Sequence, residues 1–290
     1  MTGAGGFVGS FACERLGHNH SVSGTGRKEG EHIDYVADIT DAMAVEKMIK
    51  DASPDVVVHC AKIDKSVDYC EEKKDECYKV NTLGTMNLVD SVSRNAPDCK
   101  FIFLSTDYVY DGMRGGYTEK DPVNPVDYYG VSKLMAENYV AKLSDHLILR
   151  TTVVFGWHPR GANFFMQLLG RQEKKESMLV PLDQESNPTY VHLLTDVIER
   201  GIEKGLKGVY IATGPEALTR YDFALKIADK MGFDKELIKP VWTSELKQKA
   251  ARPLNCSTIP KKLQKDLGHK FPSLDESLEH LKKEVESRRR

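Results

Sequence analysis

Apolar residues recur along this chain with two periods, short β-branched runs that predict strands and 3.6-residue spacings that predict helices. After a helix opening near residue 7, residues 20–25 and 35–37 are strand-like, and 42–52 is helical with Val45, Met48 and Ile49 on one face. Pro54 then introduces 55–60, where Val56, Val57 and Val58 make a run short enough for a buried parallel strand. The pattern continues with a long helix over 73–95, a strand over 100–104, a helix over 128–143 and a strand over 147–152. This βαβ rhythm predicts an α/β fold, a Rossmann-type doubly wound parallel sheet.

Beyond Phe155 the elements become shorter and more mixed: 163–169 and 190–204 read as helical, 208–212 as extended and 220–231 as helical, with Pro240 and Pro253 in loops. Nothing repeats. The expected organisation is a dinucleotide-binding domain over 1–155 and a smaller substrate-binding lobe over 156–290, partly interleaved with the first and built over the carboxyl ends of the strands, where ligands of such sheets bind.

The first chemical signal is the turn Thr2-Gly3-Ala4-Gly5-Gly6-Phe7-Val8-Gly9. A pyrophosphate needs close backbone approach and free N–H groups, and a turn that opens a helix offers both, with the positive end of the dipole facing the anion. Gly3 is expected to take the tight turn, Gly6 to let phosphate touch the main chain, and Gly9 to allow close helix packing. Such a turn follows an apolar strand, yet only Met1 precedes Thr2. The central strand is therefore expected to be missing, as in a truncated or mis-started reading of a longer chain, at a cost of about 1–3 kcal/mol for each buried backbone group left unpaired.

The 290 residues are 40% hydrophobic, enough for a sizeable core, and 41 basic against 43 acidic residues give no general attraction to nucleic acid or membrane. No apolar run approaches the roughly 20 residues that span a bilayer, and the start is no signal peptide. The basic end Arg288-Arg289-Arg290 reads as a solvated tail. Six cysteines, at 13, 60, 70, 77, 99 and 256, form no C-x-x-C pair, so zinc is not expected and no residue is assigned to a metal. Cys70 and Cys77, on one helix face, read as buried free thiols of a reducing cytoplasm, and His59 as a core residue at a strand end.

The second signal is Tyr129-Gly130-Val131-Ser132-Lys133 near the start of a helix, which sets phenol and ammonium one turn apart on the same face. The ammonium, helped by a nicotinamide cofactor and its ribose, is expected to lower the phenol pKa toward the working pH, so that Tyr129 can protonate a carbonyl oxygen as hydride reaches carbon. Ser105 and Thr106, at the end of a strand, are expected to hold the same carbonyl. After the second strand comes Gly24-Thr25-Gly26-Arg27-Lys28, with no carboxylate for the ribose hydroxyls of NADH and two cations for a 2′-phosphate. NADPH is the expected cofactor, with NADH left open.

With these motifs the chain resembles the extended short-chain dehydrogenase/reductases, and within them the dTDP-4-dehydrorhamnose reductase family. Ser105-Thr106-Asp107-Tyr108-Val109-Tyr110-Asp111-Gly112 matches a family segment with one aromatic exchange, and Asp183-Gln184-Glu185-Ser186-Asn187-Pro188-Thr189 and Arg252-Pro253 match two more. The resemblance implies NAD(P)H-dependent reduction of the 4-keto group of a nucleotide-linked deoxysugar. It implies Thr106, Tyr129 and Lys133 as the catalytic set and Gly3, Gly6, Phe7, Val8 and Gly9 at the pyrophosphate. It implies Asp38 and Ile39 beside the adenine, Ala61 and Lys62 along the cofactor, and Thr106, Tyr108, Asn163, Phe164 and Arg252 facing the nucleotide sugar. It leaves a homodimer open, magnesium-dependent in some members.

Two departures concern the substrate. Lys62 and Asp64 enter a stretch where the family has Ala and Thr, and Val153 replaces a Trp, with Trp157 nearby to substitute or simply to pack. The chain is also similar to the regulatory beta subunit of methionine adenosyltransferase, which implies the alternative of a catalytically silent NADP-binding subunit with a partner enzyme. An epimerase or dehydratase fits less well, because a dehydratase wants an acidic pair beside Thr106 and only Asp107 is adjacent.

Overall fold

The computed structural model describes residues 1–159 and 163–288. Strands β1 Thr25–Gly26, β2 Tyr35–Val36, β3 Val56–His59, β4 Lys100–Thr106, β5 His146–Thr151 and β6 Val154–Phe155 are followed by β7 Met178–Pro181, β8 Glu185–Ser186, β9 Thr189–Tyr190, β10 Gly208–Ile211, β11 Leu218–Thr219 and β12 Ile238–Val241. The helices are α1 Phe7–Leu16, α2 Ala42–Ala52, α3 Val67–Glu72, α4 Lys74–Cys77, α5 Gly84–Asn95, α6 Tyr128–Val140, α7 Phe164–Glu173, α8 Val191–Glu203, α9 Arg220–Met231, α10 Lys261–Leu267 and α11 Leu274–Arg288.

The large sheet is the expected parallel one. β10, β5, β4 and β3 lie side by side in that order, all parallel. Parallel β1 and β2 continue the sheet through a single residue, Thr2, which bridges Thr25 on one side and His59 on the other. Because side chains alternate across a strand, Val57, Phe101, Phe103 and Ile148 enter one core with Val45, Leu88 and Val140. Val58, Ile102, Leu147 and Leu149 enter another with Phe11, Leu194 and Ile198. Both faces are covered, as the near-continuous apolar runs of these strands require.

Where the central strand is expected to be missing, Met1 and Thr2 stand between β1 and β3, held through Thr2 N to Val58 O (3.0 Å), Cys60 N to Thr2 O (3.1 Å) and Thr25 N to Met1 O (2.8 Å). Alongside lies a groove of about 330 Å³ lined by Val22, Met48, Val56 and Val57 among others. The expected strand over 20–25 shrinks to Thr25–Gly26, because residues 21–23 face this groove and have no strand to pair with.

The single helix expected over 73–95 is instead α4, a π-helical turn at Tyr78–Leu83, and α5. The wider turn carries Asn81 and Thr82 inward, where both are buried. Asn81 Oδ1 accepts from Ile63 N (2.8 Å), its Nδ2 donates to Ser132 Oγ (3.0 Å), and Thr82 Oγ1 donates to Ser132 O (2.9 Å). These bonds compensate the irregular turn and tie the loop after β3 to α6; π-bulges of this kind are frequent at functional sites.

Beyond residue 155 the chain forms small sheets, β12 parallel to β7 and β11 antiparallel to β8, packed with α7, α9 and α11. β10 returns to the large sheet beside β5. No helix among the described residues is long and apolar enough to cross a membrane. Arg289 and Arg290 of the basic end lie outside the described residues.

Candidate active site

The glycine turn is built as its spacing predicts. Gly3 has φ +71°, and a Cβ there would stand 2.8 Å from Ala61 N. Gly6 N donates to Gly3 O (2.9 Å), and a Cβ on Gly9 would collide with that same carbonyl, so the turn folds onto its own helix. Gly6 caps α1 without a side chain, and Phe7 and Val8 begin the helix, so its first N–H groups open beside a turn that Gly3 and Gly9 keep closely folded. This donor set fits a dinucleotide pyrophosphate.

Around the turn, Ala61 backs Gly3, and Lys62 reaches from the loop after β3, its Nζ donating to Ile63 O (3.0 Å). Arg27 and Lys28 are exposed just beyond β1. Asp38 Oδ1 accepts from Thr40 N (2.9 Å), Ile39 is buried with its carbonyl held by Asn87 Nδ2 (2.9 Å), and Asp41 caps α2.

The end of β4 meets the start of α6 so closely that a Cβ on Gly130 would strike Tyr108 O. Strand alternation separates the two hydroxyls expected to share a carbonyl. Ser105 donates to buried Glu137 beneath the site, in a network where Arg150 Nη2 reaches Glu137 Oε2 (2.7 Å) and Arg150 Nη1 reaches Tyr110 OH (2.9 Å). Thr106 takes the other face, accepting from Tyr108 N (3.2 Å) and donating to Asp107 Oδ1 (3.1 Å). The Tyr129 ring lies edge-on to Tyr108, centroids 6.1 Å apart.

The ionisation expected of the Tyr–Lys pair differs in the protein alone. Lys133 is buried, donates to Leu104 O (2.7 Å) and lies 3.9 Å from the Phe103 ring centroid. Burial, reinforced by nearby Lys62, brings its pKa down to about 7. Burial and the Asp107 carboxylate push the Tyr129 phenol up rather than down. Asp107 itself is 1% exposed with Oδ2 unpartnered, and burial raises it to about 7. Asp127, which caps α6 through Gly130 N (2.8 Å), is raised by burial to about 6.

On the lobe side Asn163 is fully engaged: its Oδ1 accepts from Met166 N (3.3 Å) and its Nδ2 donates to Gly156 O (2.9 Å). It caps the start of α7, where Phe164 is half-buried. Phe164 stacks on Phe223 (centroids 5.5 Å) and supports the Arg220 guanidinium 5.1 Å from its ring centroid. Arg252 pairs with Asp68 (2.9 Å) and donates to Ala250 O (2.9 Å), fastening its loop to α3. Trp157 packs under Arg288 of α11, 4.2 Å from guanidinium to ring centroid.

All six cysteines are free thiols, and Cys70 and Cys77 are buried in one cluster beside Tyr129, but they reach it from two helices, α3 and α4, rather than from one helix face. His59 is a core residue, bonded to Thr2 and Thr85 hydroxyls. Sequence reasoning missed Asn81, the Glu137–Arg150 pair and Arg220. Only Arg220 carried a local signal, a cation placed at the first position of a helix against the dipole.

Residues 1–287 match the family described as the RmlD substrate binding domain. The dTDP-4-dehydrorhamnose reductase of Aggregatibacter actinomycetemcomitans is 31% identical over 282 residues, covering 92% of each chain. A solved structure of dTDP-4-dehydrorhamnose reductase from Bacillus anthracis in complex with NADP is similar with a TM-score of 0.88 at 29% identity, covering 98% of this chain and 97% of that one. Methionine adenosyltransferase 2 subunit beta of Bos taurus is 29% identical over 275 residues, 89% of this chain and 80% of its own length.

Proposed function

We propose, for a chain that belongs to the RmlD substrate binding domain family, that it is an NADPH-dependent oxidoreductase reducing the 4-keto group of a nucleotide-linked deoxysugar. The observation that carries this reading is the close approach of the chain leaving β4 to the start of α6, where Tyr108, two residues past Thr106, packs edge-on to Tyr129, in a sheet that also carries a glycine turn fitting a pyrophosphate. The division into a dinucleotide-binding domain over 1–155 and a substrate lobe over 156–290 is part of the same reading, with the sugar held between them. Free thiols fit a cytoplasmic setting.

The nicotinamide supplies a hydride to the sugar carbonyl carbon when bound. Thr106 Oγ1 orients the carbonyl oxygen, and Tyr129 OH donates the proton that converts the developing alkoxide to a hydroxyl. The Lys133 ammonium, on the same helix as Tyr129, would favour the phenolate left behind. Exposed Arg27 and Lys28 meet the 2′-phosphate.

Loss of NADPH absorbance on mixing with a panel of nucleotide-4-ketosugars tests the reaction. Turnover of one sugar with NADPH is expected, and no turnover of any, with tight NADPH binding, overturns it. That second outcome would favour a silent NADP-binding subunit, the reading supported by a Lys133 that bonds Leu104 O rather than Tyr129.

A further inference from the structure

The geometry points to Arg220 as a substrate-determining residue of this site, a guanidinium on the lobe that binds the diphosphate of a nucleoside-diphosphate sugar. The identity of the ligand rests on the reductase reading; the role of the residue rests on its surroundings. Arg220 opens α9, and its backbone N–H is held by Gln184 O (2.8 Å), in the short β8–β11 ladder that fixes where α9 begins. Its guanidinium lies over Phe164, which Phe223 supports from α9 itself.

Charge distinguishes the two arginines that face the catalytic end. Both Arg220 and Arg252 act on the Tyr108 phenol, and Tyr108 lies against Tyr129. Tyr108 thus touches the proton donor and lies within electrostatic reach of both cations, so a diphosphate drawn to either of them would sit beside the phenol pair. Arg252, the cation that sequence reasoning selects, is already neutralised by Asp68 at 2.9 Å. Arg220 makes no ion pair or side-chain hydrogen bond among the described residues, and the carboxyl facing it, Asp107, is raised by burial to about 7 and so supplies only part of a counter-charge. A half-buried guanidinium without a full counter-ion is costly unless a ligand provides one. Its planar fork, stacked on an aromatic ring, matches phosphate oxygens in pairs.

The test is calorimetric titration of the NADPH-loaded protein with dTDP, UDP and the corresponding nucleosides. Arg220→Met should weaken nucleoside-diphosphate binding about tenfold or more, as loss of one charge-assisted contact implies, while nucleoside and NADPH binding stay near the parent's. Arg220→Lys should recover only part of the loss. With a turned-over ketosugar, Arg220→Met should raise KM far more than it lowers kcat. Retained NADPH affinity reports that the variant is folded, and Phe164→Leu, which removes only the supporting ring, should weaken the diphosphates in the same sense but less. Equal dTDP and UDP affinity in parent and Arg220→Met overturns the assignment. A parent that binds dTDP but reduces no ketosugar defeats the reductase reading and leaves Arg220 standing; a parent that binds no nucleoside diphosphate overturns both.

Discussion

Ser105 and Thr106 are neighbours with opposite duties: Ser105 donates its hydroxyl to Glu137 below the sheet, while Thr106 Oγ1 stands on the site face, 3.1 Å from Asp107 Oδ1. Ser105→Ala is expected to cost about 1 kcal/mol of stability for a lost buried hydrogen bond and to leave turnover near the parent's. Thr106→Val should lower kcat by roughly a hundredfold or more, the size of a lost donor to a developing oxyanion. Steady-state kinetics on both variants check this, and equal kcat losses would count against the division.

If Tyr129 is the proton donor, Tyr129→Phe keeps the ring packed against Tyr108 and removes the acid. Turnover should fall on the order of a hundredfold to ten-thousandfold, with NADPH affinity little changed. Lys133→Met should impair both turnover and cofactor binding. A Tyr129→Phe variant as fast as the parent would show that another group delivers the proton.

Cofactor preference is expected to follow Arg27, exposed beside Lys28 past the end of β1. Arg27→Ala should weaken NADPH about tenfold or more, as loss of a charge-assisted contact implies, and leave NADH nearly unchanged. Fluorescence titration of both cofactors decides it. Equal affinities in the parent would shift attention to Glu29 and Glu31.

Legibility in the sequence followed the range of the interactions. The glycine turn and the strand periods are local, and Gly3, Gly6, Gly9 and the β3–β4–β5 core stand where their spacing put them. Thr106 and Tyr129 were findable because motif and strand end coincide. What escaped depends on partners far along the chain: Asn81 turns inward only because Ile63 and Ser132 receive it, and Ser105 is claimed by Glu137, 32 residues away. Arg252 looked like the free cation because no spacing rule connects it to Asp68, 184 residues earlier.

Asp107 gives the fold a pH dependence of definite sign. Its folded pKa, about 7, lies above the ordinary 3.8, so the folded protein holds this proton more firmly than the unfolded chain does. The stabilisation is complete below about pH 4 and is lost as pH rises toward 7. Through that window Asp107 alone contributes a slope of roughly −1.4 kcal/mol per pH unit to the unfolding free energy. Asp107→Asn, which stays neutral, should remove that contribution, so denaturant unfolding at several pH values should show parent and variant diverging between pH 4 and 7. Parallel curves would mean that Asp107 ionises normally.

The groove beside Met1 predicts a stabilising addition. Thr2 joins β1 to β3 by one bridge on each side, and the apolar walls Val22, Met48, Val56 and Val57 continue below it. A strand placed there would be buried on both faces, which favours a continuous β-branched run over an alternating one. Fusing about five such residues ahead of Met1, a usual strand length, should pair the facing edges and raise Tm by several degrees; for a chain of this size about 1 kcal/mol corresponds to roughly 2–4 °C. NADPH affinity should rise too, because Gly3 follows directly from the strand so anchored. An extension of equal length rich in Gly and Ser serves as the control, since it can reach the groove without filling it. Equal melting temperatures for the two extended forms would show that the groove does not accept a strand.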